Sequence, residues 1–420
     1  MVCRIMATLR PFCALRPSAT RAAEVASLPY DVVTEEKARE IVKLQPWNFL
    51  RVSRSEVDLP QGEKNSSKIF EQAVINFNRF IREVPFLRED RPSLYIYRLQ
   101  EGDHVQTGIV GSFAVDDYDS NVIKKHERTR VDKEEDRTEH TLKLSAHTGP
   151  VFLLYPDAPS LDHAIAEVIK QTPPLYRFRP ENGHESTDGI WHTIWRIDPQ
   201  ELTALATTHF EKNVPSLYIA DGHHRAAAAS RVRSRLAQQN KNHSGDEEYN
   251  FFLAIAFPFS QVRVLPYHRL VKDLNQLSVK KFLERVEMEF KIGASDRTMP
   301  KSGEFGMFLG QNWYLLTPKE SPQEGSYQGL DVDILQNRLL APILGIQDPR
   351  MSPRIDFLGG TTDPSDLEQP VLSRSAAVAF TVSATPLQTI IQVADKNGIM
   401  PPKSTWFSPK PRDGLLSHTF

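Results

Sequence analysis

Five consecutive residues carry the densest chemistry in this 420-residue chain: Asp221, Gly222, His223, His224 and Arg225, in the run SLYIADGHHRAAAAS. A short apolar stretch from Leu217 to Ala220 reads as a strand, and the alanine-rich stretch that follows reads as a helix. The first N–H groups of a helix lack intrahelical acceptors, and the helix dipole is positive at that end, so such a junction can take an anion. Gly222 lets a ligand come close to the backbone. Arg225 offers paired donors that match phosphate. His223 and His224 can donate to an oxyanion and ordinarily titrate near neutrality. Asp221 can hold a cation or orient a histidine. The plainer reading is an Asp N-cap beside surface histidines, although a cap needs only the Asp.

Three other stretches offer chemistry. In KKHERTRVDKEEDRTEH (124–140), His126, Arg130, Lys133 and Arg137 recur at spacings of three and four. On a helix that spacing lines one face with cations, flanked by Glu127 and Glu134. A solvated charged face is the ordinary explanation of such a run. Cations with an embedded carboxylate also suit a phosphate-rich ligand and a general base. In MPPKSTWFSPK (400–410), two prolines stiffen the chain before Lys403, Ser404 and Thr405. That trio is a candidate phosphate or cation contact, without the glycine loop of a P-loop. The alternative is a rigid tail packing Trp406 and Phe407 on the core. Pro29, Tyr30 and Asp31 form a firm turn, with Tyr30 and Asp31 as candidate substrate contacts. His126, Asp221, His223 and His224 could instead ligate a divalent ion for hydrolysis. Adjacent His223 and His224 weaken that reading, because the usual helical pair is four apart.

The elements around these residues follow from pattern. Thr34 reads as the N-cap of a helix over EEKAREIVKLQ, without a capping box. NFLRVSRSEV (48–57) reads as a strand, and residues 67–83 as an amphipathic helix. Residues 93–115 form a hairpin turning at Gly102 and Asp103, PVFLLY (150–155) is a strand, and residues 160–170 and 199–212 are helical. Residues 172–189 read as a loop, GIWHTIWRI as a strand, and 238–248 as a polar surface loop. NFFLAIAFP is apolar throughout, which predicts a strand buried on both faces. RVLPYHRLV reads as one further strand. Strands and helices alternate irregularly, so the predicted class is α+β rather than doubly wound. The expected division is an N-terminal α/β part (1–115), a core carrying both charged motifs (116–238) and a C-terminal α/β part packing on it (249–420).

Composition bounds the rest. Hydrophobic residues make up 40% and charged residues 25%, with a net charge of −2. That balance gives no basic field for nucleic acid or anionic lipid. No stretch approaches the roughly 18 uninterrupted apolar residues of a membrane span. Cys3 and Cys13 are the only cysteines, which excludes thiolate zinc sites and a disulfide framework and fits a reducing, cytoplasmic setting. The first 23 residues hold four arginines and no acid. A transit peptide has that character. The expectation here is a short extension before Met6 and then an ordered strand through Leu9, Pro11 and Phe12.

Taken together, RPF, LPYDVV, KKHERTR, KEEDR, YIADGHHRAAAA, LPYHRLV and MPPKSTWFSPK resemble a bacterial and archaeal family of proteins of about this length, long catalogued as a domain of unknown function. The resemblance spans about Arg10 to Leu415. More distantly, His-Glu followed by Asp-Gly-His-His-Arg is similar to free serine kinases of the ParB/sulfiredoxin-like superfamily, which phosphorylate free L-serine with ADP or ATP. That resemblance implies a mixed sheet of ParB/sulfiredoxin type enlarged by insertions. It implies Glu127 as the base, His126 as a substrate or phosphate contact, and Gly222, His223, His224 and Arg225 as the phosphate cradle. Asp221 becomes a metal-side or orienting carboxylate, with Mg²⁺ bridging the phosphates. Glu127 and Asp221 lie far apart in the chain, so residues 150–215 are expected to loop out for the motifs to meet. A nucleotide-responsive regulator of ParB type is the non-enzymatic alternative.

Overall fold

The computed structural model describes residues 6–180, 189–198, 200–295, 299–320, 329–360 and 363–420. The chain divides into two units, Met1–Val262 with Pro409–Phe420, and Arg263–Ser408. Among the described residues, the first unit is built on a nine-stranded mixed sheet. In chain order its strands are β1 (Leu9–Arg10), β2 (Tyr95–Glu101), β3 (His104–Ala114), β4 (Ile123–Lys124), β5 (Val151–Tyr155), β6 (Tyr176–Phe178), β7 (Trp191–Arg196), β8 (Leu217–Asp221) and β9 (Phe251–Pro258). They lie in the order β4-β8-β5-β9-β3-β2-β7-β6, with β1 beside β3. β8 runs parallel to β4, and β9 parallel to β5. The expected hairpin is present, with Glu101 opposite His104 and Gly102 at a positive φ of 57°. Phe252 to Phe257 are all buried between β5 and β3, as their continuous apolar run requires.

Helices pack on this sheet and beside it. They are α1 (Glu35–Leu44), α2 (Ser66–Glu83), α3 (Val131–Leu144), α4 (Pro159–Gln171), α5 (Gln200–Asn213) and α6 (His223–Gln239). Thr34 Oγ1 accepts the Lys37 N–H, the expected cap of α1. Ala226 and Ala229 of α6 join Ile219, Leu153, Phe113 and Phe210 in the main core. Their small side chains let the helix lie close on the strands. A second core gathers Phe49, Val52, Phe77, Phe80 and Leu144.

Four expectations change. Residues 48–57 are not a strand: Leu50–Ser53 is helical and Ser55–Asp58 is a 3₁₀ turn. Asn48 Oδ1 accepts the Leu50 N–H at 3.1 Å, which starts a turn, and packing of Phe49 and Val52 overrides their strand propensity. Residues 150–215 do not loop out: they supply β5, which lies between β8 and β9, the edge strand β6 and its neighbour β7. The buried side chains of Val151 to Tyr155 keep β5 inside the sheet. β6 falls within the expected loop 172–189, of which 181–188 lie outside the described residues, as do Cys3 and Arg4. RVLPYHRLV is two strands: Pro266 has no N–H to give a ladder, and Arg263–Leu265 and Tyr267–Val271 join different sheets.

The second unit holds β10 (Tyr267–Val271), β11 (Phe290–Ala294), β12 (Phe305–Leu309), β13 (Asn312–Pro318), β14 (Ile355–Gly359) and β15 (Val378–Thr381). They form an antiparallel sheet in the order β11-β13-β12-β15-β10-β14. Val271, Phe282, Phe290, Met307, Leu335 and Phe380 belong to its core. The final residues return to the first unit, where Leu15 and Ser417 exchange backbone hydrogen bonds and Ser27 pairs with Asp413. The architecture is mixed α+β with one large mixed sheet. No helix among the described residues is long and apolar enough to cross a membrane.

Candidate functional site

β8 ends at Asp221, Gly222 turns the chain, and α6 begins at His223. Gly222 has φ +90°, and a Cβ there would come 3.3 Å from the Val151 backbone and 3.2 Å from Arg225 Nε. Only glycine meets both conditions without strain. The first intrahelical bond runs from the Ala226 N–H to the Gly222 carbonyl. The three N–H groups before it are the open amides of the helix end. Gly222, not Asp221, occupies the N-cap position, and no side chain caps it.

The parallel pairing of β4 with β8 carries the chain from Ile123 straight to this turn. Residues 125–130 leave the sheet in non-helical conformation, and α3 starts only at Val131. The expected single cationic face over 126–137 is therefore not formed. Instead, the His126 ring stands edge-on to the His223 ring at 4.6 Å. Glu127 Oε2 lies 3.8 Å from His223 Nδ1. The Arg130 backbone N–H donates to His224 Nε2 at 3.1 Å. Two motifs remote in sequence thus share one surface. α3 and α6 are laced together above it by Arg231 on Glu134 and Arg235 on Glu135. Thr129 also donates to Glu134, which ties the histidine-bearing segment to the same lattice.

Burial decides the charge of these rings. It holds His126 well below its ordinary value and lowers His223 to about 3, against the pull of Asp221. Burial also lowers His224, with Glu127 opposing. The imidazoles are neutral at neutral pH, so the expectation that they titrate there, or that His126 adds a cation, is corrected. With Nε2 of His224 accepting, its proton sits on Nδ1 and is available to a ligand.

The cations are tightly engaged. Asp221 accepts from Lys410 Nζ through Oδ1 at 2.7 Å and from Arg225 Nη2 through Oδ2 at 3.0 Å. Burial works to raise this carboxyl, but Lys410 and Arg225 outweigh it and hold it near about 2. Arg225 also donates to the Pro150 carbonyl and lies 3.6 Å from Asp413 Oδ1. Asp413 is 3% exposed, and burial pushes its carboxyl up to about 7. Gly149 makes room for it, since a Cβ at that position would overlap the carboxylate. A cavity of about 30 Å³, lined by Tyr30, Arg137, His140, Thr148, Arg225 and Asp413, lies here. It has room for one or two waters.

Arg137 forks onto Asp136, donates to the Ser53 carbonyl and covers the Tyr30 ring at 4.3 Å. Asp31 is exposed beside Tyr30, and its charge acts on His224 and Asp413. Arg130 faces solvent, paired with Asp132. Lys403, Ser404 and Thr405 belong to the second unit: Lys403 Nζ lies 5.1 Å over the Tyr267 ring, and Ser404 Oγ donates to the Pro401 carbonyl. Asp221 does not fit a metal-ligand role, because both its oxygens already accept from cations. Among the described residues no group of three or more His, Cys, Asp and Glu side chains is placed to hold a metal ion, so the four-ligand set of the hydrolase reading is not assembled. Lys410 and Asp413 escaped sequence reasoning. Their only signal was a charged KPRDG segment in the tail, with no periodicity to assign it a partner.

Residues 9–335 match the family described as "Protein of unknown function (DUF1015)". The chain belongs to that family. Lys410 and Asp413 lie beyond the matched range. No curated protein matches the sequence. Among solved structures, the chain is similar to C-terminally truncated SbnI from Staphylococcus aureus, at 11% identity and a TM-score of 0.37, over 73% of this chain and 85% of that one. A conserved hypothetical protein from Pyrococcus furiosus shares 13% identity over 74% of this chain and 94% of its own, with a TM-score of 0.34. A free serine kinase in complex with AMP shares 12% identity over 74% of this chain and 91% of its own, with a TM-score of 0.36.

Proposed function

We propose that this protein is a phosphotransferase that moves a phosphoryl group from a nucleotide, ATP or ADP, to a small hydroxyl acceptor, with free L-serine as the first candidate. The observation that carries the reading is the approach of Glu127 to His223 at the open amides of α6. Phosphoryl transfer asks mainly for positioning and for donors aimed at the phosphate oxygens. The α6 amides and His224 Nδ1–H supply such donors. Glu127, 43% exposed, is open to an incoming acceptor. It takes the acceptor's hydroxyl proton as the new O–P bond forms and the bridging P–O bond of the nucleotide breaks. ATP then leaves as ADP, or ADP as AMP. Mg²⁺ enters this reading with the nucleotide phosphates and not on Asp221. The core that carries both motifs, residues 116–238, is read as ParB/sulfiredoxin-like, and the protein as cytoplasmic.

The full chain, incubated with ATP or ADP, Mg²⁺ and L-serine, should yield O-phosphoserine by mass spectrometry. Glu127→Gln should lower kcat by at least about 100-fold and leave nucleotide affinity nearly intact. Nucleotide binding without product from serine or a panel of hydroxy acids would sink the kinase reading in favour of a nucleotide-responsive regulator.

A further inference from the structure

Two stretches that the proposed reaction leaves unused, LPYHRLV (265–271) and MPPKSTWFS (400–408), meet within the second unit. Arg269 of β10 is 3% exposed. Its guanidinium donates to the Tyr267 carbonyl and, at 3.3 Å, to the Lys403 carbonyl, and it lies 5.6 Å over the Phe357 ring of β14. Its Nε is buried with no hydrogen-bond partner, and among the described residues no carboxylate pairs with it. Burial lowers it to about 10, so the side chain stays charged at neutral pH. A buried charge without a counter-ion is costly, because nothing replaces the water it gave up.

Lys403 stands beside this charge. Ser404 Oγ donates to the Pro401 carbonyl at 2.6 Å and closes the turn that carries the lysine. Lys403 has φ +55°, a left-handed conformation that a residue with a Cβ enters at a cost. Its side chain is exposed, and its ammonium lies 5.1 Å over the Tyr267 ring, with no hydrogen bond or ion pair among the described residues. The Tyr267 ring is fixed in turn by Trp406, which stands edge-on to it at 5.3 Å and packs where a Cβ on Gly359 would overlap it. An aromatic face is a weaker partner for an ammonium than a phosphate oxygen. A carboxylate would balance one of these two cations, whereas a phosphate group carries a charge of about −2. We propose that Arg269 and Lys403 form an anion site on the second unit that takes a phosphate group. Lys403 donates to its oxygens. Arg269 is the positioning residue: it holds the Lys403 carbonyl and adds a charge that acts through little water. This site does not rest on the kinase reading above.

Calorimetric titration of the full chain with inorganic phosphate, ADP and acetate tests it. Inorganic phosphate should bind at least about tenfold more tightly than acetate. Lys403→Met should weaken phosphate binding by at least about tenfold, the scale of one charged hydrogen bond, and Lys403→Arg should stay within about threefold of wild type. Phosphate held by the α6 amides would persist in Lys403→Met as a separate event, so the comparison reads the second unit alone. Arg269→Met should narrow the preference for phosphate over acetate, which a loss of packing alone would not do; if it does not fold, the exposed Lys403 pair decides. A parallel loss of ADP binding in Lys403→Met supports the site and makes a nucleotide the source of the phosphate. Unchanged ADP binding beside lost phosphate binding supports it with free phosphate or a phosphate monoester as the source. A wild-type chain that takes up no phosphate, or equal phosphate affinity in Lys403→Met and wild type, overturns the site. An equal loss in Lys403→Arg, or acetate bound as tightly as phosphate, also overturns it. These outcomes leave the kinase reading standing, and a failure to form O-phosphoserine leaves this site standing.

Discussion

Two buried carboxylates share Arg225, one at the end of β8 and one in the C-terminal tail. Asp221 hydrogen-bonds the guanidinium at 3.0 Å and has Lys410 as a second cation. Asp413 lies 3.6 Å from the same guanidinium, and its Oδ1 has no hydrogen-bond partner among the described residues. The first is held down near about 2, and burial lifts the second to about 7. One arginine cannot offset two buried acids, and the lysine decides which of them stays ionised. Both the lysine and the second acid come from the tail, so the tail sets the charge of a site whose motifs lie elsewhere.

Removing the strand-end acid strikes this contrast hardest. Asp221→Ala leaves Lys410 and Arg225 buried without the carboxylate they share, with Asp413 still 3.6 Å from Arg225, and should cost about 3–5 kcal/mol in urea unfolding. A loss below about 1 kcal/mol would show that water already screens the pair.

Asp413→Asn sharpens the other side. The folded chain keeps the Asp413 proton up to about 7, whereas an ordinary Asp releases it near 3.8. Between those values the folded state binds more protons than the unfolded state. Wild-type stability contributed by this group is therefore full below the lower value, falls as pH rises toward the upper one, and then levels. Asn has no proton to lose. Its stability relative to wild type should climb across that window by on the order of 4 kcal/mol. Asp221 acts with the opposite sign, stabilising above 3.8 and losing that contribution as pH falls toward about 2. A flat difference between Asp413→Asn and wild type over the window would erase the distinction.

Arg130→Ala should do least. The Arg130–Asp132 pair is exposed, and Arg130 touches His224 through its backbone, which alanine retains. Stability should change by less than about 0.5 kcal/mol. ADP affinity should hold, and a tenfold loss would show that the guanidinium itself meets the ligand.

Local features were readable without the fold. The strand, glycine turn and alanine helix of 217–239, the hairpin at Gly102 and the Thr34 cap each depend on residues a few positions apart, and each is present. Expectations that needed distant neighbours fared differently. Phe49 and Val52 carry strand propensity, yet they turn helical because α2 offers them a packing surface. His126 and Arg130 have helical spacing, yet the parallel pairing at Ile123 and Lys124 draws that segment onto the sheet edge.

The sequence by itself determined the chemical inventory: a glycine-turned helix start, a glutamate beside a histidine, and membership in a family marked by those motifs. Only the tertiary structure decided their state. Residue type does not reveal that burial neutralises the imidazoles, that Arg225 turns inward, or that Lys410 reaches across 189 positions to Asp221. Turns and helix starts depend on bonds between near neighbours, so sequence can encode them directly. Charge and protonation depend on solvent exclusion and on partners brought together only by the completed sheet and its returning tail.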